Sequence, residues 1–359
     1  MKKISVLVQS RRWSTGQRRW RRHLVRKTRT YRPAGRIRIQ PPEILSFREN
    51  FQQTITFLTQ LRDATLKPSP KRNSVFVDLE PVKRLSVPVA IVLAAEFHRW
   101  SLTQRTRLSP KNSRGWAPEV RSLLSNLGVF DLLKTRPVET DARIYDNLTL
   151  TPLESGEKTD GAKINELQTH FAQSLAGFTT RPTVFEGLME AAENAISHAY
   201  PNEYVPLHPY AGHRWWGASF LDLQRMRLRF FIFDQGAGIP STLPTGPLRE
   251  WILSFLAETS AGVFSNDAQM LRAAFEVGRT RTGMANRGLG LQRMADVVRG
   301  SKTGFLRIIS GRAEIVHNSD DHIESRSLPT HIGGTLIEWN MPADVFVTAP
   351  DEDGHAEAH

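Results

Sequence analysis

The chain has 359 residues, of which 40% are hydrophobic, 23% are charged and none is cysteine. That is enough to bury one or two ordinary cores, and it excludes disulfides, thiolate metal sites and cysteine nucleophiles. The net charge of +12 is concentrated: residues 1–40 hold fourteen Lys and Arg and no Asp or Glu, so residues 41–359 sum to −2. No apolar run approaches the roughly 20 residues needed to span a bilayer. The N-terminus lacks the apolar core of a secretory signal, and we expect a cytoplasmic protein.

Residues 1–45 read as a basic, disordered arm, because dense like charge with few aliphatics cannot bury enough apolar surface. Arg11-Arg12-Trp13 and Arg18-Arg19-Trp20-Arg21-Arg22 suit nucleic acid or an anionic membrane. There Arg would neutralise phosphates, and Trp13 and Trp20 would stack on bases or sit at the headgroup layer. A plain tail and an organellar transit peptide fit the same composition. Pro41-Pro42 closes the arm. Phe51, Ile55, Phe57, Leu58 and Leu61 fall on one stripe of a helix over 49–66. Residues 74–79 form a β-rich run. Residues 88–100 read as a buried helix with Pro88 in its first turn, and 117–126 as another, stopped by Gly128. Together these predict a small α/β domain over 46–150.

Residues 143–152 read as a strand, 154–161 as a linker or loop, and 162–178 as an amphipathic helix. A second domain is expected over 151–348, followed by a polar tail, 349–359. Its signals lie in four segments. In the Ala-rich helical run Phe185–Ala199, Glu190, Asn194 and His198 are four apart and share one face. An Asn carbonyl is a hard-oxygen ligand suited to Mg²⁺, and a nearby Glu can orient or deprotonate water. Next, an apolar strand from Arg227 runs into Asp234-Gln235-Gly236-Ala237-Gly238. Its glycines allow close approach of a ligand, and its Asp can accept from an exocyclic amine. Third, Arg287-Gly288-Leu289-Gly290 opens a helix, where free N–H groups suit phosphate. Last, Gly333-Gly334-Thr335 leads into a late strand.

In this order the four segments resemble the GHKL superfamily of ATP-binding domains (gyrase, histidine kinase and MutL type), over about residues 160–345. The resemblance implies an α/β sandwich with helices on one face of a mixed sheet, and ATP and Mg²⁺ as cofactors. It places Asn194 on Mg²⁺, Asp234 on the adenine amine with Thr335 in support, and Gly236 and Gly238 against the base. Gly288 and Gly290, with Arg287, would wrap the phosphates, Glu190 would activate water, and residues 241–286 would form a mobile lid. The phosphate-sensing lysine of the gyrase and MutL branch has no obvious counterpart; Arg281 and Arg287 could substitute for it, although a surface Arg in a lid is the commoner meaning. Residues 46–150 resemble, more weakly, a degenerate STAS-like domain, in which Pro88 stands where a phosphoacceptor would. These resemblances imply a Mg-dependent ATPase or ATP-driven switch acting on a protein partner. The alternatives are an anti-sigma-type serine/threonine kinase acting on a STAS-like partner, and a nucleic-acid or membrane adaptor with a vestigial nucleotide site.

Overall fold

The structure, a computed structural model, describes residues 36–66, 74–140, 148–202, 204–206, 208–243, 250, 252–254, 256, 266–280 and 290–348. The expected basic arm up to residue 35 and the polar tail therefore lie outside the described residues. Among the described residues no helix is long and apolar enough to cross a membrane. In chain order the elements begin with β1 (Arg36–Ile39), β2 (Ile44–Leu45), α1 (Phe51–Leu66), β3 (Ser74–Val77), β4 (Arg84–Leu85), α2 (Val87–Thr103), α3 (Pro118–Asn126) and α4 (Val129–Leu132). They continue with β5 (Leu148–Leu150), β6 (Glu154–Gly156), α5 (Gly161–Thr169), α6 (Pro182–Ser197), β7 (Trp215–Asp222), β8 (Arg227–Asp234) and α7 (Ile239–Thr242). The last are α8 (Asp267–Thr280), α9 (Gly290–Asp296), β9 (Phe305–Ser310), β10 (Ala313–Asn318), β11 (Ile323–Ser327) and β12 (Thr335–Pro342).

The chain divides into two compact units, Met1–Arg38 with Pro68–Phe76, and Ile39–Lys67 with Val77–His359. In the first, β1 pairs with β3. The second is α/β, built on one eight-stranded sheet in the order β11-β10-β9-β12-β8-β7-β5, with β6 also paired to β7. The expectation of a mixed sheet is corrected here, because every pairing in this sheet is antiparallel. Short links account for three of these pairings: β7–β8, β9–β10 and β10–β11 follow one another directly, and such hairpins can only be antiparallel. The turn between β9 and β10 has two residues with Gly311 first, at φ +61, as a hairpin turn that opens on glycine requires.

Strand alternation sorts the core into two faces. Leu228, Phe230 and Ile232 of β8, Ile337 and Trp339 of β12, and Leu306 and Ile308 of β9 join Leu167, Leu188, Leu271, Phe275 and Met294 from α5, α6, α8 and α9 in one cluster. On the opposite face Trp216, Phe231 and Phe233 are fully buried, and α2 packs against β7 and β8. Val89–Ala95 of α2 are buried without a break, as expected of a helix enclosed on all sides. The His98 Nδ1 accepts from Trp216 Nε1 at 3.2 Å. Burial lowers the His98 pKa to about 4, which keeps it the neutral acceptor.

Two local readings change. The helix expected over 162–178 stops at Thr169 and tightens into a 3₁₀ turn over His170–Gln173. Its apolar positions Ile164, Leu167, Phe171 and Leu175 are buried all the same. The expected linker contains β6, whose polar residues pair with Trp215–Gly217. Backbone hydrogen bonds, not hydrophobic alternation, make this strand, and Lys163 pairs with Glu154 at 3.1 Å.

Because the α2 face is as dry as the other, Phe231→Ala is expected to cost about 3–5 kcal/mol, the usual range for a buried aromatic. Denaturant unfolding of the full chain measures it, and a loss below about 1 kcal/mol would contradict the packing described.

Candidate functional site

Pro182 occupies the first turn of α6, where its missing N–H costs nothing. Gly187 lets this helix approach the chain after α9: a Cβ there would lie 2.3 Å from Val297 Cγ2. On the half-buried stripe above it, Glu190 and Asn194 face Gly290. A Cβ on Gly290 would sit 2.4 Å from Glu190 Oε1 and 3.2 Å from Asn194 Nδ2. Arg293, one turn along α9, donates to Glu190 Oε2 at 3.0 Å. Glu193 is engaged elsewhere: Ser197 and then Thr159 donate to it and hold its pKa below the ordinary value. His198 is exposed beyond the helix end. Arg281, Arg287 and Gly288 lie outside the described residues.

The second group gathers where β8 leaves the sheet. Asp234 stands opposite Thr335 of β12, and Thr335 stands opposite Ser310 of β9. Asp234 Oδ1 accepts from Gly236 N at 2.8 Å, and the N–H and hydroxyl of Thr335 lie near enough to favour the charged carboxylate. Ser310 Oγ accepts from Ile239 N at 2.7 Å and lies 2.8 Å from Thr335 Oγ1. A chain of polar contacts thus runs from Ile239 through Ser310 to Thr335, which stands beside Asp234. Burial outweighs these bonds and pushes the Asp234 pKa up to about 7.

Glycines are required by contact here. A Cβ on Gly236 would lie 2.1 Å from Ala199 O, and one on Gly334, at φ +147, 1.9 Å from Asp234 O. Gly238 has φ +86 and sits against the backbone of Gly311. Gln235 is buried, and neither amide atom of its side chain has a hydrogen-bond partner. Its N–H donates to Tyr200 Oη at 3.2 Å, and that hydroxyl donates to Arg214 O at 2.8 Å.

The two groups are neighbours. Ala199 N donates to Asn194 O at 3.0 Å, and Ala199 O accepts from Ala237 N at 2.8 Å. The structure thus brings Glu190, Asn194 and Gly290 together, and Asp234, Gly236, Gly238 and Thr335 together, joined through Ala199. Sequence reading missed Arg293, Ser310, Ala199 and Tyr200. Only Ser310 had a signal, ending an alternating run just before a glycine turn. Part of the segment assigned to a lid, Asp267–Thr280, is helix α8, and its Leu271 and Phe275 enter the core. Gly278 lies inside that helix; Gly262 and Gly283 are outside the described residues.

Among the described residues no three His, Asp or Glu side chains are grouped to hold a metal. Asn194 and Glu190 offer three side-chain oxygens between them, so a cation here would take its remaining ligands from water or a bound anion, as Mg²⁺ commonly does. No protein-family model matches the chain, and no curated protein or solved structure matches it significantly.

The raised Asp234 pKa has a thermodynamic signature. The folded state holds this proton more tightly than the unfolded chain, so the group loses stability as pH rises from the ordinary 3.8 to about 7. His98, His208, His317 and His331, lowered mainly by burial, act in the opposite sense in part of this range. The contribution is therefore read as a difference: unfolding free energy of wild type minus Asp234→Asn should fall across this window and level off above it. A difference independent of pH would contradict it.

Proposed function

We propose that this chain binds Mg-ATP in the manner of the GHKL superfamily and works as an ATPase or ATP-driven switch. The observation that carries the reading is the buried Asp234 carboxylate, set opposite Thr335, flanked by two contact-requiring glycines and linked through Ala199 to the helix that carries Glu190 and Asn194. Strongly perturbed carboxylates beside backbone that admits no side chain are characteristic of ligand sites.

On this reading Asp234 accepts from the adenine amine, and Gly236 and Gly238 let the base lie against the backbone. Thr335 keeps the carboxylate turned and partly charged. Gly290, with Gly288 and Arg287, receives the phosphates, and Asn194 supplies a carbonyl oxygen to their Mg²⁺. Bound Mg-ATP supplies a reactive phosphoanhydride. Glu190 orients and deprotonates water, which requires its ion pair with Arg293 to open. That requirement favours a switch in which nucleotide binding and rearrangement at α9 are linked. A protein partner, and use of the basic arm on nucleic acid or membrane, are proposed on the sequence alone.

Calorimetric titration with ATP, with and without Mg²⁺, followed by phosphate release, tests the reading. Asn194→Ala should lose the Mg-dependent part of binding, and Asp234→Asn should weaken ADP more than GDP. Glu190→Ala should keep ATP but release phosphate about 10²–10⁴-fold more slowly, as expected when a general base is lost. A wild-type chain that binds no adenine nucleotide would sink the proposal, and labelled phosphate appearing on protein would identify a kinase instead.

A further inference from the structure

Resting on the nucleotide reading above, we infer that Arg62, on α1, is a positioning residue for base recognition, acting through the Thr335–Asp234 pair. Arg62 is buried, and its guanidinium lies between two structures. Toward α2, its Nε donates to Glu96 Oε1 at 3.0 Å. Toward the sheet, an Nη donates to Ile332 O at 2.8 Å, 270 residues along the chain. The peptide of Gly333 is pressed onto the same group, since a Cβ there would lie 2.3 Å from Arg62 Nη1. Gly333 has φ +91, so its conformation and its contact both call for glycine.

The loop that Arg62 holds leads straight into the site. Ile332 N donates to Gly311 O at 3.0 Å, which ties the loop to the turn beside Gly238. His331 Nδ1 accepts from Gly333 N at 2.7 Å, leaving the Nε2–H for Ala237 O at 3.3 Å. Gly334 then passes against Asp234 O, and Thr335 stands opposite Asp234 across the strand pair, where its polar groups favour the charged carboxylate. Arg62 therefore fixes one end of a four-residue bridge whose other end sets the hydroxyl that orients the base-reading carboxylate. A charge-assisted bond to a carbonyl is strong and directional, and a recognition group must be held within about half an ångström to discriminate.

The same cluster makes the test clean. Arg99 also donates to Glu96, so removing Arg62 leaves that buried carboxylate neutralised. Arg62→Met keeps the apolar stem, and Arg62→Lys keeps the charge on Glu96 but lacks the fork that reaches Ile332 O at the same time. Both are prepared as full chains, and ADP and GDP are titrated against each alongside thermal unfolding. The expected result is a roughly tenfold loss of ADP affinity in both variants with GDP changed less than about threefold. If Arg62→Met does not fold, Arg62→Lys carries the same expectation. Unchanged ADP affinity, or equal losses for ADP and GDP, would overturn the role of Arg62 while leaving the nucleotide site intact. Wild type that binds neither nucleotide would remove the nucleotide reading and this role with it.

Discussion

The pairing of β8 with β12 forces a carboxylate and a threonine to face each other at the dry end of a sheet, and much of the molecule is arranged around that meeting. Asp234 cannot turn away, because its backbone is fixed by register on both sides, to β7 and to β12. Its burial makes the charged form costly, and only a few hydrogen bonds oppose that cost. The Ile239 N–H and the hydroxyls of Ser310 and Thr335 form one polar chain ending beside Asp234, and Thr335 supplies part of that opposition. The glycines at 236 and 334 are consequences of the same crowding, since both are pressed against backbone carbonyls.

The sheet is covered on both sides, and each cover contributes differently to the site. Helices α5, α6, α8 and α9 bury the larger core, and α6 and α9 carry Glu190, Asn194 and Gly290. Helices α1 and α2 arrive from the early part of the chain; α2 seals Trp216, Phe231 and Phe233, while α1 presents Arg62 to the loop before β12. Residues that hold the Asp234 end of the sheet are thus drawn from both ends of the sequence. The polar ladder of Arg229 with Glu338 and of Arg307 with Glu314 runs across β8, β12, β9 and β10. Pairing of this kind keeps buried charge tolerable without adding much net stability.

Much of this was legible locally. The stripe Ile55, Leu58, Leu61 marks α1, the unbroken apolar run from Val89 marks α2, and Pro182 with the alanines marks α6. The Asp-x-Gly-x-Gly after an apolar strand located the Asp234 turn because strand-end glycines carry their own constraint. What escaped depends on distance or on backbone. Strand β6 is polar and exists through hydrogen bonds to β7, so its side chains announce nothing. The Arg62–Ile332 and Arg293–Glu190 contacts join residues far apart, and an arginine on a helix reads from sequence as a solvated cation. The antiparallel sheet in place of a mixed one follows in part from hairpin connectivity, which was readable only with Trp215–Asp222 and Phe305–Ser327 recognised as strands.

The claim on which the rest turns is that Asp234 is a buried, base-reading carboxylate. Carbon-13 NMR of aspartate side chains in the full chain, with the Asp234 resonance assigned by its loss in Asp234→Asn, addresses it directly. The account predicts a titration near pH 7 in the free protein, matching the pKa of about 7, displaced downward by ADP, which stabilises the ionised form, and not by GDP. A resonance that titrates in the ordinary carboxylate range, or that responds equally to both nucleotides, would contradict it.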